Sequence, residues 1–132
     1  MGLKQLPHEQ VMVRLAPSPI SGIGVFSAQH IGEGTNIFAN DMRAIRWISE
    51  KDVAALSGPQ RALYDDFAIR RDGEYGCPEN FNLLTVGWYL NEPAAGQSPN
   101  VHMTEDYQII ASRDIATGEE ITVRYSTFSD SV

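Results

Sequence analysis

Ala111-Ser112-Arg113-Asp114-Ile115-Ala116-Thr117-Gly118-Glu119-Glu120-Ile121-Thr122-Val123-Arg124-Tyr125 decides how this chain is read. Gly118 sits among small and acidic residues, where a tight turn needs a residue free of side-chain hindrance. Apolar and polar residues alternate at 121–125, which predicts a strand with one face buried. The stretch is thus expected to be strand, corner, strand. Immediately upstream, residues 101–104 and 107–112 read as two more strands around a turn at Glu105-Asp106.

The same logic carries to the other end of the chain. Residues 11–15 form a short apolar run, stopped where Pro17 and Pro19 deny the ladder its N–H groups. Residues 20–26 read as a strand interrupted by Gly22 and Gly24, and residues 35–38 and 42–48 as further short strands. Ser49 followed by Asp52 suggests a capped helix that ends before Gly58-Pro59, and residues 60–67 suggest a second short helix. Residues 31–37 and 115–121 share Ile, Gly and Ile in matching places, so both are expected to form similar corners. The echo is too short for a repeat architecture. The expected fold is mainly β with a small helical insert.

Composition narrows the functions. A chain of 132 residues suits one domain, and no apolar run approaches the ~20 residues that span a bilayer. Residues 1–10 carry one Lys and no apolar stretch, so no secretory signal is expected there. The expected location is the cytoplasm, with the nucleus also open. Cys77 is the sole cysteine and cannot form an internal disulfide, and no Cys/His cluster has zinc spacing. No metal site is expected. No membrane partner is expected, and a net charge of -7 argues against direct binding of nucleic acid and favours a basic partner, although acidity also serves solubility.

Three segments, in order, resemble the signature of the SET-domain lysine methyltransferases. Ser21-Gly22-Ile23-Gly24-Val25-Phe26-Ser27, followed by Ile31 and Gly34, resembles the opening glycine motif. Trp88-Tyr89-Leu90-Asn91-Glu92-Pro93, then Pro99-Asn100, resembles the Asn-His-Ser segment and the Pro-Asn pair behind it. Here Glu92 and Pro93 stand for His and Ser, Trp88 for a frequent Arg, and the loop is three residues longer. Residues 111–125 are similar to the family's closing segment, with Arg124 where Asp is common.

The resemblance implies a single SET domain over residues 1–132: a β-clip of short curled sheets, a variable insert at about 43–80, and a knot-like C-terminal segment. It implies S-adenosylmethionine as cofactor, held by Gly22, Ile23, Gly24, Asn91, the backbone of Glu92, and Tyr125. It implies transfer of methyl to a lysine ε-amine of a basic, lysine-containing protein, with Tyr125 as the catalytic residue orienting the amine.

The three histidines, His8, His30 and His102, form no triad with a nucleophile, and an in-line displacement needs alignment more than a base. A lysine channel needs aromatic walls, for which Tyr89, Tyr107, Phe128 and Tyr75 are candidates. The resemblance is to minimal family members without zinc modules. Residues 126–132, with Phe128, or a second copy in a homodimer, would then close the cofactor site. The alternative is a non-catalytic SET-like interaction module, for which Glu92, Pro93 and the longer loop speak. A metal-dependent hydrolase has little in its favour, since no ligand pair has metal spacing.

Overall fold

The computed structural model describes residues 11–39 and 45–130. Along the chain come β1 (Val13–Pro17), β2 (Ile23–Ser27), β3 (Arg46–Ser49), α1 (Glu50–Ala54), α2 (Gly58–Phe67), β4 (Ile69–Arg71), β5 (Glu74–Cys77), β6 (Val101–Met103), β7 (Ile109–Ala111) and β8 (Glu120–Ile121). They make three small antiparallel sheets, ordered β1-β2-β8, β3-β5-β4 and β6-β7. Three 3-10 turns, Phe81–Leu83, Val86–Tyr89 and Tyr125–Thr127, complete the described elements. No described helix is long and apolar enough to cross a membrane.

The β1–β2 hairpin ends where the sequence stops it. Beyond Pro17 the Ser18 hydroxyl accepts the Ile20 and Ser21 N–H groups at 3.0 and 3.3 Å, and the Ser18 N–H donates to the Gly22 carbonyl at 2.8 Å. Gly22 closes this loop at φ +46°, in the left-handed region that glycine enters at least cost. Across the second edge of β2, Val25 faces Ile121 and Phe26 faces Glu120.

The two isoleucine corners are joined to each other. Ile31 donates to the Ile115 carbonyl at 2.9 Å, and Ile115 returns a bond to Ile31 at 2.8 Å. Around this joint the bonds recur in matched pairs. Gly34 donates to Ala111 and Gly118 to Ser27; Ala111 donates to Thr35 and Ser27 to Glu119. Further out, Ala28 donates to Met12 and Ser112 to Asn100. Gly34 and Gly118 take the same left-handed turn, φ +86° and +85°. The faint sequence echo is therefore an approximate twofold relation between residues 12–37 and 100–121. Ile31, Ile109, Ile115, Ile121 and Val25 are fully buried at this centre, each large aliphatic contributing about 1.5–3 kcal/mol by leaving water.

The insert is as much sheet as helix. Ser49 caps α1 by accepting the Asp52 N–H at 3.2 Å, as the sequence suggested. Helix α2 starts at Gly58, with Pro59 in its first turn, and ends at Ala68, whose backbone is extended. A hairpin absent from the sequence reading follows: β4 and β5 turn through Asp72 (φ 52°) and Gly73 (φ 78°), the two positive-φ residues a tight hairpin turn requires.

Other expectations are corrected. Residues 35–38 form a single bridge at Asn36 and then a turn. The strand expected at 42–48 is β3 at Arg46–Ser49, residues 42–44 lying outside the described set. Tyr107 has φ 62°, so β7 begins only at Ile109. The last strand stops at Ile121, and Tyr125 opens a 3-10 turn rather than ending a strand. Past that turn the chain docks on β4: the Ser129 hydroxyl accepts the Arg70 N–H at 2.9 Å, Arg71 donates to the Phe128 carbonyl at 3.0 Å, and Asp130 accepts the Asp72 N–H at 2.9 Å.

Candidate functional site

The glycine loop, Asn91 and Tyr125 meet at one place. The Asn91 amide nitrogen donates to the Ser21 carbonyl at 3.1 Å, beside Gly22, and to a Glu120 carboxylate oxygen at 2.9 Å. Backbone holds Asn91 there as well: it forms a parallel bridge with Thr122, and its carbonyl accepts the Val123 N–H at 3.0 Å. Three residues further, Tyr125 turns back. Its hydroxyl donates to the Leu90 carbonyl at 2.5 Å, and its N–H donates to Glu92 Oε1 at 2.8 Å. Residues 90–92 and 122–125 are thus laced together from backbone to phenol.

The two motif glycines have different surroundings. A Cβ on Gly22 would meet nothing within 4 Å, whereas one on Gly24 would meet Glu120 Oε2 at 2.3 Å. Gly22 therefore borders open space where a ligand can lie against backbone. Gly24 instead makes room for the Glu120 carboxylate, which also accepts the Ser18 hydroxyl at 2.8 and 2.9 Å. Ile23, between them, is 52% exposed and lies on the open side.

Glu120 is the residue that sequence reasoning missed. From the sequence alone, Glu119 and Glu120 are alternative salt-bridge partners for Arg124 across the closing hairpin. The structure corrects this: Arg113 pairs with Glu119 at 2.5 Å, and Arg124 donates to the Gln97 carbonyl at 3.4 Å. The β2–β8 register, which sets Glu120 opposite Phe26, was the missing signal.

Electrostatics follow from these partners. Burial pushes the Tyr125 phenol up, the Glu92 charge pushes it further, and the Glu92 backbone N–H beside the phenol partly offsets the rise. The residue leaves 42% of its surface in solvent while its hydroxyl is turned in toward Leu90, so burial acts on the end that titrates. Arg113 holds the Glu119 carboxyl below the usual carboxylate range, aided by Asn100 and the Ala116 N–H.

The candidate channel aromatics separate. Phe128, buried, packs edge-on to Tyr125 with ring centroids 6.1 Å apart. Tyr89 packs against Phe67 at 5.9 Å, Tyr107 against Trp47 at 5.7 Å, and Tyr75 against Tyr64 at 5.8 Å. Phe128 alone of the four is in ring contact with Tyr125 among the described residues. His102 shares a 2.7 Å bond with the Ser112 hydroxyl, and His8 lies outside the described residues. Cys77 is buried, its thiol pushed up by burial. No group of three or more metal-ligating side chains is found among the described residues.

The chemistry of this site suits the amino-acid end of S-adenosylmethionine. Both hydrogens of the Asn91 amide go to acceptors, which fixes its orientation and leaves Oδ1 to accept from a ligand ammonium. Glu120 brings negative charge to the same neighbourhood, and Gly22 leaves the backbone approachable.

Comparisons with known proteins bear on the fold and the family. Curated proteins give no match. Among solved structures, the chain is similar to a Plasmodium falciparum protein provisionally named as a histone methyltransferase, at 18% identity and TM-score 0.57, covering 85% of this chain and 90% of that one. It is also similar to the methyltransferase domain of human PR domain-containing protein 2, at 20% identity and TM-score 0.58, covering 86% and 76%. A third similarity, at 20% identity and TM-score 0.60, is to an inhibitor-bound, humanized Polycomb Repressive Complex 2 of Chaetomium thermophilum, covering 90% of this chain and 15% of that one. At these identities the likeness is one of fold. The family model described as SET domain matches residues 22–126, from the glycine loop through the turn that carries Tyr125, and the chain belongs to that family.

Proposed function

We propose that this protein is an S-adenosylmethionine-dependent protein-lysine N-methyltransferase acting on a lysine of a basic partner protein. The observation that carries the reading is the junction at Asn91: its amide bonds the glycine loop, and the carbonyl of the preceding residue, Leu90, accepts the Tyr125 phenol. Bound there, S-adenosylmethionine supplies a sulfonium methyl group.

Tyr125 has the right residual chemistry to orient an amine. A phenol has one donor and acceptor lone pairs, and here the donor is spent on Leu90. Its oxygen is left to accept an N–H from the substrate amine, which turns the amine lone pair toward the methyl carbon. Asn91 and the backbone at Gly22 would hold the cofactor, which would supply the methyl carbon that the amine attacks. Lysine, ordinarily near pKa ~10.4, must first lose a proton to solvent. Burial beside a cationic sulfur favours the neutral amine. The raised Tyr125 pKa keeps the phenol neutral throughout.

Basic proteins are the first substrates to try, given the net charge of -7 and the histone methyltransferase name of one structural relative. One observation favours a non-catalytic SET-like module instead: both Asn91 donors are already used within the protein. Calorimetric titration with S-adenosylmethionine, then transfer of labelled methyl to core histones and to a basic protein fraction, decides between them. Saturable binding with label on lysine is expected; no binding at millimolar cofactor would overturn the enzyme reading.

A further inference from the structure

Glu92 and Arg124 both depart in charge from the segments the chain resembles, and the structure brings both departures to Tyr125. Arg124 precedes it in the chain and sends its guanidinium away to the Gln97 carbonyl. Glu92 reaches in, and its Oε1 accepts the Tyr125 N–H at 2.8 Å.

That N–H opens the turn Tyr125–Thr127, and the residue before it, Arg124, makes no side-chain capping bond. The first N–H groups of a helical turn have no partner within it, so an acceptor from elsewhere is needed to hold the start of this one. Glu92 fills that place. The turn's own i→i+3 bonds run from the Thr127 and Phe128 N–H groups to the Arg124 and Tyr125 carbonyls.

Tyr125 is consequently gripped at both ends by the two neighbours of Asn91: backbone N–H on Glu92, phenol on Leu90. A side chain pinned only at its tip can pivot about that point, whereas one pinned at its root as well has a fixed direction. Small errors in placement are costly in an in-line displacement, where the reacting atoms must be aligned to within a fraction of an ångström.

We propose that the Glu92 carboxylate is a positioning residue for methyl transfer, acting through the Tyr125 backbone to fix where the phenol points rather than by binding cofactor with its side chain. The proposal rests on the methyltransferase reading above.

The test uses the full chain, with Glu92→Ala and Glu92→Gln. Glutamine keeps an acceptor oxygen at the same reach, and alanine does not. Three quantities are measured: hydrogen exchange of the Tyr125 amide by NMR, the dissociation constant for S-adenosylmethionine, and the rate of label transfer to core histones or a basic protein fraction at saturating cofactor. Glu92→Ala should speed Tyr125 amide exchange and slow transfer about tenfold or more, with cofactor affinity changed by no more than about twofold. Glu92→Gln should restore protection and most of the rate.

An active wild type whose Glu92→Ala variant transfers methyl equally fast overturns the positioning role and leaves the methyltransferase reading standing. So does a loss confined to cofactor affinity. A Glu92→Gln variant as slow as Glu92→Ala also overturns it, since charge rather than the hydrogen bond would then be what matters. A wild-type chain that binds no cofactor overturns the methyltransferase reading, and the proposal with it.

Discussion

Ile31 and Ile115 exchange a reciprocal pair of backbone hydrogen bonds, 2.9 and 2.8 Å, while both side chains are fully buried. This joint locks the segment after the glycine loop to the segment before Tyr125. Ile115→Ala leaves the backbone pair possible and removes the packing. We expect a loss of about 2–5 kcal/mol, the range for emptying a large aliphatic site that cannot fully collapse. Urea denaturation followed by circular dichroism checks it.

Tyr125→Phe removes the hydroxyl and leaves the ring against Phe128 and the N–H on Glu92. The fold should survive. Methyl transfer should fall at least about tenfold, the scale of one oriented hydrogen bond of ~1.4 kcal/mol. Single-turnover label transfer at saturating cofactor is the measurement, and an unchanged rate would remove the role assigned to the phenol.

Gly24→Ala and Gly22→Ala should separate cleanly. The new methyl at position 24 collides with a Glu120 carboxylate tied to Ser18 and Asn91, so those bonds must break or the strand must move. A cost of about 1–3 kcal/mol is expected, with weakened cofactor binding because Asn91 loses a partner. At position 22 there is space, and only the left-handed backbone is penalised, by about 1 kcal/mol. Thermal unfolding of the two purified variants compares them directly.

Acid should weaken the fold through Glu119. Its folded-state pKa is depressed, first by the hydrogen bond from Arg113. The stabilisation is therefore present above the ordinary carboxylate pKa of ~4.3 and fades as pH falls from there through the lowered value. Solvent screens the pair, whose side chains are 51% and 29% exposed, so the effect is small. Urea midpoints measured between pH 7 and pH 3 should fall less steeply in Arg113→Met than in wild type.

Much of the frame was legible because its determinants are local. Pro17 and Pro19 stop β1, Gly118 turns the closing corner, and Ser49 caps α1. The Asp72-Gly73 turn is equally local, a strong hairpin signal lying directly behind a helical stretch. Other features were not written locally at all. Tyr107 takes a left-handed backbone that its residue type disfavours, in a turn where its N–H donates to the Thr104 carbonyl at 3.0 Å and its ring packs on Trp47.

The candidate site divides in the same way. Resemblance pointed to Asn91 and Tyr125, which the fold brings to neighbouring positions, but not to Glu120, whose place depends on the β2–β8 register. Arg113 took the carboxylate expected for Arg124, since the corner at Ile115 folds it back toward Glu119. Glu92 counted as a departure from a motif, and only the coordinates reveal what its side chain touches.

Two alike units meeting about a dyad is the arrangement of an isologous dimer, in which each surface is its own complement. Here both halves, 12–37 and 100–121, belong to one polypeptide, so their association is intramolecular and independent of protein concentration. The residues strung between them serve as the tether. A tether has only to span the distance between its anchors, and lengthening it costs little in closure entropy. Ahead of Leu90–Glu92, which the site holds in place, added length should therefore leave the dimer-like frame intact.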